Sequence, residues 1–231
     1  GYMTSLPSLK APFVFSCFNH TIFDMQVLTH ELGHAFAGYM AMRSQPISDY
    51  YSETTDIAEI HSMSMEQFAY PYAEWFFGDQ ADKFRFAHLQ EALTFVPFGV
   101  AVDEFQHICY AHPELTPKER TYRWHLLEEK YMPWRRYEND PFMERGGYWY
   151  HKLHIYLYPF YYINYTLTTM GAMEFKKKYA EDKSAAWQDY LKLCKTAATL
   201  KRCAMRILQT RLRRAPSSAP AAMRRRYCSM R

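Results

Sequence analysis

The sequence contains no run of about 18 consecutive apolar residues, the length that a helix needs to span a bilayer. Its most membrane-like stretch, residues 155–165, is short, rich in tyrosine and broken by Pro159. No signal peptide is recognisable at its start. Five cysteines without a C-x-x-C pair argue against a disulfide framework and against a cysteine-type zinc site. We therefore expect a protein of the cytoplasm that does not insert into a membrane.

Acidic residues are missing from one segment, residues 201–231, which holds ten of the 28 lysines and arginines. Residues 1–200 carry the other 18 basic residues and all 24 acidic ones, so this body is acidic although the whole chain has a net charge of +4. We expect no nucleic-acid binding by the body. The abrupt change to Arg, Ala and Ser predicts a disordered tail. The alternatives are a basic tail that binds nucleic acid or a membrane, and a non-native reading of the gene's end.

The composition is that of a globular protein, with 48% hydrophobic and 23% charged residues. Aromatic residues reach 18%, which suits a deep aromatic-lined cleft or simply a large core. Residues 11–18 have the length and composition of a short strand, whose open edge could pair with an extended peptide or only pack. Helical patterns dominate from Asp24, a candidate N-cap, to about residue 200. The sequence therefore predicts a mainly α fold with a short β-strand region near the N-terminus.

The sequence around the first helix, residues 27–36, reads VLTHELGHAF and contains an H-E-x-x-H motif. On a helix, His30 and His34 leave the same face one turn apart, so both can reach one tetrahedral zinc ion at about 2.0–2.1 Å. Glu31 can then reach a water on the metal rather than the metal itself. Apolar neighbours indicate a helix buried along much of its length. The alternative is a core helix with two satisfied histidines.

A second helix supplies the candidate third ligand, Glu59, after a gap of 24 residues from His34. That gap is long enough to end one helix, turn, and bring another alongside. Glu66 returns to nearly the same face two turns later and is a candidate acceptor for the N–H of a ligating histidine, and Asp56 is a weaker candidate for that role. Alternatively, Glu59 and Glu66 belong to a solvated face. The remaining histidines at 88, 107, 112 and 125 lack ligand spacing and are expected to be structural or at the surface.

A segment after the turn at Gly146-Gly147 combines one histidine with many tyrosines. His154, Tyr158, Tyr161 and Tyr165 are spaced to share one helical face, although Pro159 can kink the helix or delay its start. Such a row of donors could hold a peptide carbonyl and stabilise an oxyanion. An aromatic core stripe with one histidine is the alternative.

With these three motifs in this order, the chain resembles the M3 family of zinc metallopeptidases, close to oligoendopeptidase F and the thimet oligopeptidase relatives. The resemblance covers residues 1–200 and implies a helical zincin-type catalytic domain, with residues 201–231 as a tail. It implies the C-terminal catalytic half only, lacking a helical N-terminal half that forms the opposite wall of a deep channel. That missing half would be its covalent partner.

The resemblance also implies a function and a set of roles. The function is hydrolysis of short peptides with one Zn²⁺ per chain. The ligands would be His30, His34 and Glu59, with Glu31 as general base and proton shuttle. Substrate and transition-state contacts would come from His154, Tyr161 and Tyr165, with Tyr158 and Tyr162 as further substrate-binding residues. Three alternatives stay open: an inactive metal-binding fragment, a non-peptidase hydrolase on the same zinc scaffold, such as an epoxide hydrolase, and a metal-free helical module.

Overall fold

The computed structural model describes residues 1–51 and 55–196. In this part of the chain the protein is mainly helical, with one small sheet at its start, which confirms the predicted fold class. The sheet pairs strand β1 (Tyr2–Leu6) with strand β2 (Ala11–Phe15) in antiparallel register, Tyr2 opposite Phe15. Sequence reasoning found β2 but missed β1, its pairing partner.

The helices follow in a simple order along the chain. Their bounds are α1 (Ile22–Ser44), α2 (Thr55–Phe68), α3 (Glu74–Phe77), α4 (Ala81–Ala111), α5 (Pro117–Tyr131), α6 (Leu153–Leu157), α7 (Ile163–Glu181) and α8 (Lys183–Thr196). None of these helices is both long enough and apolar enough to cross a bilayer. The predicted tail, residues 201–231, lies outside the described residues.

The N-cap of helix α1 lies three residues earlier than predicted. Thr21 is the N-cap, whereas Asp24 lies in the first turn. The Asp24 carboxylate reaches back to accept hydrogen bonds from the backbone N–H groups of Asn19 and Thr21, at 3.1 and 3.0 Å. An acid in this position satisfies donors that the helix start leaves unpaired and also favours the macrodipole. The capping prediction for Asp24 is therefore wrong in position, although Asp24 does stabilise this helix end.

Two apolar clusters hold the helices together on either side of α2 and α7. The larger cluster joins α4 and α5 to the segment before α7, around the fully buried Phe105 and Trp124. The smaller cluster joins α1, α2 and α8 around Phe68 and Tyr190. Helix α2 packs against both α1 and α7, so polar side chains on the surfaces of α2 can meet those of either neighbour.

Gly33 sets the distance between α1 and α2. A Cβ atom at this position would lie 2.5 Å from Ser62 Cα and 2.7 Å from the His61 carbonyl oxygen, both backbone atoms of α2. Only glycine permits this approach without moving a helix. His30 and His34 on α1 are thereby brought against Glu59 on α2.

We expect Gly33→Ala to destabilise the fold by about 1–3 kcal/mol, because the methyl group overpacks a backbone contact. Gly38→Ala on the same helix is the matched control. Its Cβ would meet only the ends of the Met3 and Ser5 side chains at 3.4 Å, so the gain in helix propensity should leave stability unchanged or higher by up to about 1 kcal/mol. Thermal or urea unfolding of both variants measures the difference. Equal stability of the two variants would contradict this account of Gly33.

Candidate metal centre

Two imidazoles and one carboxylate meet where α1 and α2 are closest. Glu59 Oε2 lies 3.2 Å from His30 Nε2 and 3.5 Å from His34 Nε2. One donor atom from each residue lies within 4.8 Å of the other two, so the set can hold a metal ion. The two histidines of the H-E-x-x-H motif and Glu59, the third residue predicted from α2, thus lie close together.

Glu59 is held in place by its own helix. The Ser62 hydroxyl, one turn later on α2, donates a hydrogen bond of 2.9 Å to Glu59 Oε2. Burial alone would raise the pKa of Glu59, but its hydrogen bonds with His30 and His34 keep that pKa well below its usual range. The carboxylate is therefore ionised and oriented. Ser62 was missed by sequence reasoning, although its i+3 position relative to Glu59 could have indicated it.

His30 has a carboxylate next to each of its two ring nitrogens, Glu59 at Nε2 and Glu66 at Nδ1. Its Nδ1 atom lies 2.7 Å from Glu66 Oε1, on the side opposite Glu59. Burial would lower the pKa of His30, but the hydrogen bonds with Glu59 and Glu66 raise it to about 10. The site thus stabilises positive charge strongly. A metal cation that binds here would compete with the proton on His30 for the same nitrogen. Glu66 has the contact predicted for it, whereas the side chain of Asp56 lies outside the described residues.

Glu31 points into the protein rather than into solvent. It lies on α1 between the two histidines and is 8% exposed. The backbone at Gly1 approaches it closely, since a Cβ there would lie 3.2 Å from Glu31 Cγ. The start of β1 therefore lies beside Glu31, the residue that follows His30 on α1.

The tyrosine-rich segment does not form the single helix that its spacing suggested. Helix α6 ends at Leu157, Phe160 has a positive φ of 61°, and α7 starts at Ile163. Proline at 159 removes a backbone donor, which ends the helical ladder there. The predicted common helical face is therefore wrong. The histidine and the tyrosines are still neighbours, because the break between α6 and α7 leaves their rings in contact.

His154 lies at the centre of the four tyrosines. Its ring centroid is 5.1–6.2 Å from those of Tyr158, Tyr161, Tyr162 and Tyr165. Burial and the nearby Lys152 lower the pKa of His154, so its imidazole is neutral at pH 7. A neutral imidazole can still donate one hydrogen bond.

A cleft of about 300 Å³ joins this group to the metal site. It is lined on one side by His30, Glu66 and His88 and on the other by His154, Tyr162 and Tyr165. Burial, a hydrogen bond with Tyr161 and the nearby Glu59 carboxylate raise the pKa of Tyr165. Its phenol therefore stays protonated and can donate at neutral pH.

Two of the tyrosines predicted to bind substrate have contrasting positions. Tyr158 is largely exposed, whereas Tyr162 is 5% exposed and packs against Phe95 and Phe98. Tyr162 is mainly a core residue, and only a small part of its surface can face the cleft.

The other histidines predicted to be structural or at the surface divide into two groups. Those at 107, 112 and 125 lie next to acids on their own or adjoining segments, away from the cleft. His88 is different, because it is buried and bonded to Glu66. No spacing in the sequence connects these two residues, which lie on different helices.

An H-E-x-x-H helix joined by a carboxylate from the next helix is typical of metallopeptidases. The sequence profile of peptidase family M3 matches residues 1–214. The chain belongs to peptidase family M3, a family of metallopeptidases, and the resemblance inferred from the motifs is confirmed. A comparison with curated proteins gave no match.

Three solved structures are similar to this chain. PZ peptidase A, determined with an inhibitor, is 48% identical over 85% of this chain and 35% of its own, with a TM-score of 0.79. A provisionally assigned oligoendopeptidase F is 50% identical over 84% of this chain and 34% of its own, with a TM-score of 0.77. Another, from Bacillus anthracis str. Ames, is 43% identical over 84% and 31%, with a TM-score of 0.69. The chain spans about a third of the length of these structures.

Proposed function

We propose that this chain is the catalytic domain of a zinc-dependent endopeptidase that hydrolyses short oligopeptides. The observation that carries the proposal is the convergence of His30, His34 and Glu59 within 4.8 Å. Membership of a metallopeptidase family and the similarity to PZ peptidase A and oligoendopeptidase F support it. The catalytic domain would comprise residues 1–200, with residues 201–231 as a separate tail.

The donor set fits a zinc ion. Two ligands of a tetrahedral ion with bonds of about 2.0–2.1 Å are separated by about 3.3 Å. The Nε2 atoms of His30 and His34 lie 3.2 and 3.5 Å from Glu59 Oε2, and two nitrogens with one oxygen suit zinc. When bound, one zinc ion per chain would supply Lewis-acid activation, lowering the pKa of a water ligand toward about 7 and polarising the scissile carbonyl.

Glu31 is the proposed general base. Its carboxylate takes a proton from the attacking water and passes it to the leaving amine. Its place on α1 directly after His30 supports this role, because the H-E-x-x-H spacing lets this carboxylate reach a water bound at the two histidines. Glu31 touches reacting atoms in this scheme but does not hold the metal.

The side of the cleft that carries His154 would bind the substrate carbonyl. His154, Tyr161 and Tyr165 are the proposed donors to the developing oxyanion, with Tyr158 and Tyr162 contributing to substrate binding. His154, Tyr162 and Tyr165 line the same cleft as His30, and the protonated Tyr165 is hydrogen-bonded to Tyr161, which supports this assignment.

We expect Tyr165→Phe to lower kcat for peptide hydrolysis by about 100-fold, because it removes one oxyanion donor without changing the ring. KM should change little, since the contact forms mainly in the transition state. Tyr179→Phe, near the other end of α7 in the smaller apolar cluster, is the matched control and should retain activity. Unchanged kcat in Tyr165→Phe would remove Tyr165 from the mechanism.

The proposed setting follows from the same assignment. The substrates are short peptides, with no nucleic acid and no membrane as partners of the body, and the protein acts in the cytoplasm. The matched part of this chain covers only 31–35% of the structures that it resembles. We propose that an N-terminal helical half, covalently linked, forms the opposite wall of the substrate channel.

Two measurements on the 231-residue chain test the proposal. The first is the zinc content after loading, expected at one equivalent. The second is cleavage of a panel of fluorogenic peptides, with an epoxide panel as a comparison. Zinc binding without peptide cleavage would favour a metal-binding domain that is inactive on its own. Cleavage of epoxides alone would indicate a different hydrolase, and absence of stoichiometric zinc would overturn the proposal.

A further inference from the structure

A row of buried polar side chains extends behind His30, away from Glu59. Glu66 joins two imidazoles, with Oε1 at 2.7 Å from His30 Nδ1 and Oε2 at 2.6 Å from His88 Nε2. The row continues from His88 Nδ1 to the Tyr70 hydroxyl at 2.7 Å. His88 and Glu66 are almost fully buried. The row therefore connects α1, α2 and α4, and its central hydrogen bond, between Glu66 and His88, is buried.

The hydrogens in this row can be assigned from the capacity of each group. An ionised Glu66 only accepts, so His30 donates from Nδ1 and His88 donates from Nε2. A neutral His88 then has a lone pair on Nδ1, which accepts the hydrogen of the Tyr70 hydroxyl. Because Nδ1 of His30 is bonded to Glu66, Nε2 is the ring atom that faces Glu59, and a metal bound there would replace the proton on Nε2.

Neighbouring residues hold His88 and Tyr70 in single positions. The His88 ring stacks on Phe84, with centroids 5.7 Å apart and planes 8° from parallel. Arg85 donates two hydrogen bonds to the Tyr70 carbonyl, at 3.1 and 2.8 Å. Lys176 lies over the Tyr70 ring, 3.7 Å from its centroid. Held in this way, the His88 ring directs its Nε2–H toward Glu66.

We propose that His88, supported by Tyr70, is a positioning residue for the metal site, which it acts on through Glu66 and His30. A carboxylate with one donor can rotate about its terminal bond, whereas one held between donors on two helices cannot. Fixing Glu66 fixes the tautomer and the ring orientation of His30, and outer partners of this kind tune metal affinity. The inference rests on the proposed zinc site and adds two residues to it.

The test compares zinc dissociation constants, measured by chelator competition, with the stability of the metal-free chain. His88→Phe keeps a ring but removes both hydrogen bonds, and it should weaken zinc binding by about 10- to 100-fold. His88→Gln can still donate to Glu66 and accept from Tyr70, so its affinity should lie within about 3-fold of wild type. Tyr70→Phe should weaken binding by about 2- to 10-fold, the range of one hydrogen bond. His125→Phe, which disrupts a His–Glu pair on α5, is the control.

The outcomes separate this inference from the proposed function. Weaker zinc binding by His88→Phe, restored in His88→Gln at similar metal-free stability, would support it. Wild-type affinity in His88→Phe would overturn it while leaving the zinc site intact. If His88→Phe does not fold, Tyr70→Phe decides, since unchanged affinity in that variant would overturn the row's role. A wild-type chain that binds no zinc would overturn both the proposed function and this inference.

Discussion

Glu31→Gln is expected to reduce kcat for peptide hydrolysis by about 100- to 10,000-fold, the contribution of a positioned general base. Glutamine has nearly the same shape but cannot accept a proton at neutral pH, so the proton of the attacking water has no acceptor. The three proposed ligands are untouched, and the zinc stoichiometry should stay at one. Steady-state kinetics with a fluorogenic peptide, together with metal analysis of the same sample, measure both quantities.

Two controls make the Glu31 result interpretable. Glu129→Gln changes an exposed acid on α5 by the same substitution and should retain wild-type kcat and zinc content. Glu31→Asp keeps the carboxylate but draws it back by one methylene, so partial activity is expected. Normal turnover in Glu31→Gln would show that the proposed mechanism is wrong, even if zinc is bound.

Glu59→Ala is expected to weaken zinc binding by more than about 100-fold, beyond the 10- to 100-fold effect of losing an outer hydrogen-bond partner. The substitution removes one of three donors and the negative charge that lies 3.2 and 3.5 Å from the two imidazoles. Peptide hydrolysis should fall with the metal content. Chelator competition gives the affinity, and added zinc should restore activity only at concentrations far above those needed by wild type.

A matched control for Glu59 is available at another Glu–His pair. Glu114 lies 3.2 Å from His112 at the surface, but no second imidazole converges there among the described residues. Glu114→Ala should therefore leave zinc affinity unchanged. If Glu59→Ala keeps wild-type zinc affinity, the metal would have to be held by a different set of residues. The proximity of His30, His34 and Glu59 would then not mark the zinc site.

Glu31→Gln and Glu59→Ala are expected to lose activity in different ways, which makes the pair informative. Loss of turnover with zinc retained indicates chemistry at Glu31, and loss of zinc indicates the donor set at Glu59. A chain that binds zinc normally but cleaves no peptide in its wild-type form would leave the metal site intact and place the missing requirement in substrate binding. That outcome would direct attention to the proposed N-terminal channel wall rather than to α1 and α2.

Much of the candidate metal centre could be predicted from local sequence, and the reason is helical periodicity. Residues four apart on a helix share a face whatever else the protein does, so the pairing of His30 with His34 needed no tertiary information. The same argument placed Glu66 near Glu59, two turns apart on one helix. These predictions depend on a repeat of 3.6 residues, which is a property of the backbone alone.

Other features could not be predicted because competing local signals cancel. The spacing of His154, Tyr161 and Tyr165 favoured one helical face, whereas Pro159 favoured a break. The structure has the break, with Phe160 at positive φ between α6 and α7. Strand β1 was missed for a related reason, since its residues are stabilised mainly by pairing with β2.

The sequence by itself determined the helical fold class and, through helical spacing, the pairing of His30 with His34. The resemblance of its three motifs identified the family and pointed to Glu59 as the third donor. Tertiary structure alone decided that α1 and α2 touch at Gly33, that Ser62 orients Glu59, and that His88 on α4 reaches Glu66. Contacts between helices depend on how side chains from distant segments pack, and no periodicity in the sequence encodes which distant pair will meet.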